Sequence, residues 1–209
     1  MNWFFLSLVI ENVASTKLTP MRTLAIAVVL AVVASVAASS NPEVEMIIDT
    51  CGPIYVQLFP AAAPKTVAFW LNLVRSGWYD SSNHTTPRTV YRYVPNFVIQ
   101  GGGKNVAESG VPLEYKLPNE KFTLGMARDS CPPPPSTPAQ CDSGGSEFFI
   151  NIANNSATLA PGGSSTHGYA VFGRVVRGFS TLTCLEGLPV SGQFYVNPPV
   201  IKSARIIKH

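Results

Sequence analysis

Charged side chains are scarce in this chain: Asp, Glu, Lys and Arg make up 13% of 209 residues, against about 25% in an average domain. With 46% apolar residues beside so little charge, it is not a disordered polyelectrolyte. Its net charge of +3 is spread without basic runs, so it has no electrostatic footprint for nucleic acid. Four cysteines are too few for a disulfide-dense miniature scaffold, though an even number suits an oxidising compartment. His84, His167 and His209 have no ligand spacing, so no metal site is expected. Gly101-Gly-Gly-Lys104 lacks the spacing of a phosphate loop and reads as a tight turn. Internal repeats and heptads are also missing. Proline is plentiful instead, with 18 residues where the average is about 5%.

The apolar excess is concentrated at the front. Leu24 to Ala38 reads LAIAVVLAVVASVAA, with Met21-Arg22 before it and small residues after it. A short basic region, an apolar stretch and an A-x-A-like exit at Ser35-Val36-Ala37 describe a secretory signal peptide. The run falls short of the roughly 20 apolar residues that span a bilayer. A cleaved signal is therefore favoured, and an uncleaved signal-anchor is the alternative. A start at Met21 would give the tidier signal and leave residues 1–20 as an upstream extension. The expected organisation is residues 1–40 as extension and signal, and 41–209 as one domain.

Most of that domain reads as short strands. Val44 to Asp49 and Ile54 to Phe59 alternate around Thr50-Cys51-Gly52-Pro53, a hairpin pattern. Val67, Trp70, Leu71 and Val74 recur at helical spacing, with Pro64 at the start and Gly77 as the stop. Thr89–Val94, Asn96–Gln100, Thr123–Ala127, Phe148–Ala153, Ala170–Val176 and Val200–Ile207 are further strands, and Phe179–Leu188 fits a second helix. Many short strands with two helices suggest a closed barrel capped at its ends.

Five separated segments carry a more specific message. Thr89-Val-Tyr-Arg-Tyr-Val-Pro-Asn-Phe-Val-Ile-Gln-Gly-Gly102 resembles the F-H-R-x-I-x-x-F-x-x-Q-G-G signature of the cyclophilins. Leu124-Gly-Met-Ala-Arg128 followed by Ser146-Glu-Phe-Phe-Ile-Asn151 resembles that family's second signature. Gly168-Tyr-Ala-Val-Phe-Gly173, Ala63-Pro-Lys-Thr-Val67 and Pro199-Val-Ile-Lys-Ser-Ala204 resemble three more of its segments, in the family's order. The resemblance covers residues 44–207. It implies a mainly β fold, a closed eight-stranded antiparallel barrel capped by two α-helices.

It also implies peptidyl-prolyl cis-trans isomerase activity, assisting protein folding in the secretory pathway. Rotation about a peptide bond faces a barrier of about 18–20 kcal/mol, because nitrogen lone-pair donation gives the C–N bond double-bond character. A catalyst of that rotation needs no nucleophile, metal or cofactor. It must bind the twisted amide better than either planar form. An apolar socket for the ring and one fixed donor suffice, and a permanently charged guanidinium suits the second task. By the resemblance, Arg92 is the catalytic arginine and Gln100 the glutamine that holds it and bonds substrate backbone. Phe97, Phe149 and Leu159 match the proline socket, Val98 stands where methionine is usual, and Tyr169 takes the place of the rim histidine. Ala127 and Arg128 are expected along the substrate, Arg128 through its backbone. Each of these aromatic residues, taken alone, would ordinarily be core packing.

Several positions depart from the family pattern. Glu147 replaces a glutamine and brings a negative charge near Arg92, where it could tie up the guanidinium or sit on the rim. No tryptophan falls in Ser156-Ala-Thr-Leu159, so weak cyclosporin sensitivity is expected. Cys131 and Cys141 bracket a proline-rich loop and form one candidate disulfide; Cys51 and Cys184 form the other. Asn83-His-Thr85 and Asn154-Asn-Ser156 are glycosylation sequons. The expected partners are proline-containing segments of client proteins, with no nucleic acid, a membrane only if the N-terminal segment is uncleaved, and a monomeric state. The alternative reading is a catalytically weak cyclophilin-like module that binds such segments. The expected place is the secretory lumen or outside the cell, or a membrane-anchored lumenal domain.

Overall fold

The computed structural model describes residues 41–103, 110–129, 142–164 and 167–208. Strict alternation sets the first hairpin. In β1 (Glu43–Ile48), Val44, Met46 and Ile48 point inward, and β2 (Gly52–Leu58) buries Ile54, Val56 and Leu58. The turn between them places Thr50 and Gly52 at positive φ (71° and 100°), which glycine accepts without steric cost.

Helix α1 (Pro64–Arg75) has proline in its first turn and no side-chain cap from its own N-cap residue. The Glu114 carboxylate substitutes from far along the chain, accepting from the Lys65 and Thr66 amides and the Thr66 hydroxyl. An acidic group there satisfies orphan donors and complements the helix dipole. The inward face carries Val67, Trp70, Leu71 and Val74. Trp70 packs against Tyr79, Phe148 and Phe172, with ring centroids 5.5 to 6.1 Å apart. A 3₁₀ turn (Ser81–Asn83) leads to β3 (Thr89–Val94) and β4 (Val98–Gly102).

After β5 (Thr123–Met126), β6 (Phe148–Asn151) and β7 (Val171–Arg177), α2 (Phe179–Glu186) buries Thr181, Leu182 and Leu185. The expected helix end at Leu188 falls two residues beyond the observed one, because Gly187 caps the last turn. A disulfide joins Cys51 to Cys184, and Thr181 Oγ1 donates to the carbonyls of Cys51 and Pro53. Both ties fasten α2 to the β1–β2 turn. The pair Cys131–Cys141 lies outside the described residues.

A final hairpin, β8 (Val190–Ser191) and β9 (Phe194–Tyr195), precedes β10 (Ile201–Lys208). All pairings are antiparallel, in the order β10-β1-β2-β7-β5-β6-β4-β3-β9-β8. The fold is mainly β with two helices, as expected, but the closed eight-stranded barrel is corrected in two respects. The described residues form ten strands, because β8 and β9 add a hairpin to the edge of β3. The sheet is also not closed. Among the described residues, its two flanks meet only at the bridge Thr89–Val200, with Val90 N donating to Pro199 O and Ile201 N to Arg88 O. Pro198 and Pro199 have no N–H, so no longer ladder can form there.

Candidate active site

Strands β3 and β4 change register between Val90 and Arg92. Tyr91 is the extra residue of a β-bulge, so Tyr91 and Arg92 together face Gln100. Bulges re-aim side chains in this way. Arg92 Nη1 donates to Gln100 Oε1 at 3.0 Å. On its other edge, Arg92 Nε and Nη2 donate to Gln193 Oε1 at 3.0 and 2.8 Å. Gln193 sits in the turn between β8 and β9, and nothing in the sequence singles it out. The side chain that brackets Arg92 opposite Gln100 comes from 101 residues away.

Glu147 does not pair with Arg92. Its Oε2 accepts from the Tyr91 hydroxyl at 3.1 Å and lies 3.5 Å from Gln100 Nε2, while Oε1 is buried without a hydrogen-bond partner. Burial first, and then the Glu147 charge, hold the Tyr91 phenol well above the usual tyrosine range. The Gln100 amide therefore connects two opposite charges. Its oxygen faces the guanidinium and its nitrogen the carboxylate, the one orientation that satisfies both.

Beside Arg92 lies a cavity of about 320 Å³. Nine of the ten residues expected at the site line it: Arg92, Gln100, Phe97, Val98, Ala127, Arg128, Phe149, Leu159 and Tyr169. Glu147 is the exception, opening onto a neighbouring surface depression with Tyr91, Arg88 and Gly103. Ser164 lines the cavity and was not anticipated. Val98, Phe149 and Leu159 form a small apolar cluster separate from the main core, with Phe97, Ala127 and Tyr169 against it. Ordinary core packing therefore does not account for them.

The walls of the cavity are held by groups of other types. Phe149 meets Tyr169 edge-on at 5.8 Å, and the Arg128 guanidinium lies 4.5 Å over the Tyr169 ring while donating to Gly168 O. Burial shifts the Arg128 guanidinium below its ordinary value. Gly125 lies under Phe149: an ideal Cβ there would sit 2.2 Å from the ring. Three buried asparagines connect the two sides. Asn155 Nδ2 donates to Phe97 O and Asn151 Oδ1, Asn151 Nδ2 to Asn119 Oδ1, and Asn119 Nδ2 to Tyr169 O. A fully bonded buried amide chain of this kind rigidifies what it joins. The sequence reading missed these asparagines because none belongs to the quoted signatures, except Asn151 at the edge of one.

The sequon asparagines Asn83 and Asn154 are both exposed. Asn83 Nδ2 is occupied by Gly77 O, whereas Asn154 uses its oxygen to accept from Ser156. Among the described residues there is no cluster of three or more metal-ligating side chains, and no helix is long and apolar enough to cross a membrane.

The chain is similar to known proteins over most of its length. A family model described as cyclophilin type peptidyl-prolyl cis-trans isomerase/CLD matches residues 43–206. Peptidyl-prolyl cis-trans isomerase cyp18 of Streptomyces antibioticus is 32% identical over 181 residues, covering 76% of this chain and 95% of its own. A peptidyl-prolyl cis-trans isomerase of Acinetobacter baylyi is 33% identical over 162 residues, covering 74% and 77%. A crystal structure of a Cryptosporidium parvum cyclophilin type isomerase superposes with a TM-score of 0.65 at 22% identity, over 81% of this chain and 99% of that one.

Proposed function

The chain belongs to the cyclophilin-type peptidyl-prolyl cis-trans isomerases, and on that premise we propose how its residues divide the work of turning an X–Pro bond. The observation that carries this assignment is the Arg92 guanidinium, held on two edges beside an apolar cavity. The cavity takes the proline ring, with Phe97, Val98, Phe149 and Leu159 gripping it on separate sides and Tyr169 at the rim. Guanidinium has five N–H donors. Three are engaged by Gln100 and Gln193, so two remain for substrate. As the amide twists, its nitrogen becomes pyramidal and regains a lone pair that accepts a hydrogen bond. A donor fixed there binds the twisted form more strongly than either planar one, which lowers the barrier. Gln100 acts chiefly by setting the plane of the guanidinium.

The test is an exchange measurement on an X-Pro peptide. Arg92→Ala should lower kcat about 10²- to 10³-fold, the usual effect of removing one preorganised donor, with peptide binding retained. Arg92→Lys should not restore it, since an ammonium lacks the flat fork. An unchanged rate in Arg92→Ala would exclude the mechanism. No turnover in wild type, with binding retained, would select a binding module instead.

The secretory role has separate support. The pattern of residues 21–38, the Cys51–Cys184 disulfide and the exposed Asn154 sequon suit an oxidising lumen. Removal of residues 1–40, or close to it, is the expected maturation. Intact-mass measurement of the secreted protein checks it, and retention of the Leu24–Ala38 run would point to an anchor.

A further inference from the structure

The β8–β9 hairpin does more than deliver Gln193. Strand β9 joins β3 at one register pair, Arg92 opposite Phe194. Directly opposed residues of antiparallel strands share a face, so Phe194 stands beside Arg92 on the face that bears the cavity. Strand β4, with Val98 and Gln100, borders β3 on the opposite edge. Phe194 therefore extends the site away from the socket.

Its orientation is set by its neighbour. Tyr195 is buried, stacks on Tyr93 with centroids 6.2 Å apart, and donates its hydroxyl to Leu185 O. Alternation along the strand then turns Phe194 outward. Phe194 is 57% exposed, Val196 58% and Val190 37%. A single exposed apolar side chain needs no explanation. Here Phe194 and Val196, two residues apart and on one face, are two of the five large apolar side chains exposed among the described residues, and Phe194 pairs with Arg92, whereas Val190 pairs with Tyr195 and so lies on the other face. Two apolar side chains side by side next to Arg92 offer a contact surface continuous with the site.

We propose that the β8–β9 hairpin is an apolar subsite of the isomerase, receiving a large apolar or aromatic side chain that flanks the proline in an unfolded client segment. The inference rests on Arg92 facing the prolyl bond. An extended peptide advances about 3.3 Å per residue and neighbouring strands lie about 4.8 Å apart, so a side chain one to three residues from the proline reaches Phe194. Two side chains are too small a patch for a second copy of the chain, since a stable interface takes about 800 Å² per partner. Continuity with the Arg92 site favours the client.

The experiment uses the whole domain and X-Pro peptides with Phe or Ser at each of three positions on either side of the proline. Phe at one flank should raise kcat/KM about two- to tenfold, the range of one aromatic contact. The gain should appear in KM, because the contact is the same in ground and twisted states. Phe194→Ser should bring the Phe-to-Ser ratio close to one, and Phe194→Leu should keep part of it. The same ratio read as Kd by calorimetry is independent of turnover. Selectivity in Kd without turnover would overturn the isomerase mechanism and support the subsite. Turnover with a ratio near one at every position would overturn the subsite alone. So would a ratio that survives Phe194→Ser, or a Phe194-dependent dimer in sedimentation.

Discussion

Two glutamine oxygens grip the Arg92 guanidinium from opposite edges, and they differ in their surroundings. Gln100 is half-buried on β4, whereas Gln193 is exposed at a turn. A hydrogen bond to a charged group contributes about 1.5–3 kcal/mol when sheltered, and less where water competes. Gln193→Ala should therefore lower kcat about three- to tenfold, with KM nearly unchanged, because it loosens the donor without touching the socket. A rise in KM at constant kcat would show instead that Gln193 binds peptide. Glu147 shows how a neighbouring charge is managed. The Tyr91 hydroxyl and Gln100 amide occupy Oε2, which leaves the guanidinium to the two glutamines.

At the scale of elements, the site is assembled by irregularities. The bulge at Tyr91 turns Arg92 toward Gln100, and a glycine in β5 makes room for a ring from β6. Phe149 lies so close to Gly125 that an added methyl would overlap it at 2.2 Å. Gly125→Ala should displace Phe149 into the cavity, raising Kd for an X-Pro peptide at least about tenfold while the far-UV spectrum stays native. Unaltered peptide affinity would show that the ring can retreat elsewhere. The amide chain Asn155–Asn151–Asn119 fixes the backbone under Phe97 and Tyr169, so the opposite walls of the socket move together.

Across the whole molecule, buried tyrosines link stability to pH. Tyr79 donates to Ser146 O and Tyr195 to Leu185 O, and a phenolate can do neither. Burial raises both phenols above their ordinary value of 10.0, and Tyr91 shifts the same way. Above about pH 10 the unfolded chain loses these protons while the folded chain keeps them. Unfolding then releases protons, so stability is complete below pH 10 and declines above it, by up to about 1.4 kcal/mol per pH unit for each such tyrosine. Urea unfolding between pH 8 and 11 reads this directly. A flat profile would mean the phenols titrate normally, and Tyr79→Phe should make the decline shallower.

The reading of particular residues shows where sequence suffices. Strands β1 and β2 were legible because alternation of apolar residues is a local rule, and α1 because Pro64, Gly77 and the spacing of Trp70 and Val74 act within a few turns. Nine of the ten expected site residues line one cavity, and all of them but Leu159 sit in contiguous signatures whose local geometry travels with them. Hairpin β8–β9 was not legible: two-residue strands have no period to detect, and the pairing with Arg92 spans about a hundred positions. Glu147 could be flagged from sequence as a charge near Arg92, but its direction depends on which hydroxyl and amide the fold brings to it. Closure of the sheet was decided in the same way. Pro198 and Pro199 meet β3 only after the whole chain has wound around its core, and their missing N–H groups limit that meeting to a single bridge. Local pattern sets the elements and the chemistry each strand carries; long-range pairing alone decides which groups hold Arg92 and what stands beside it.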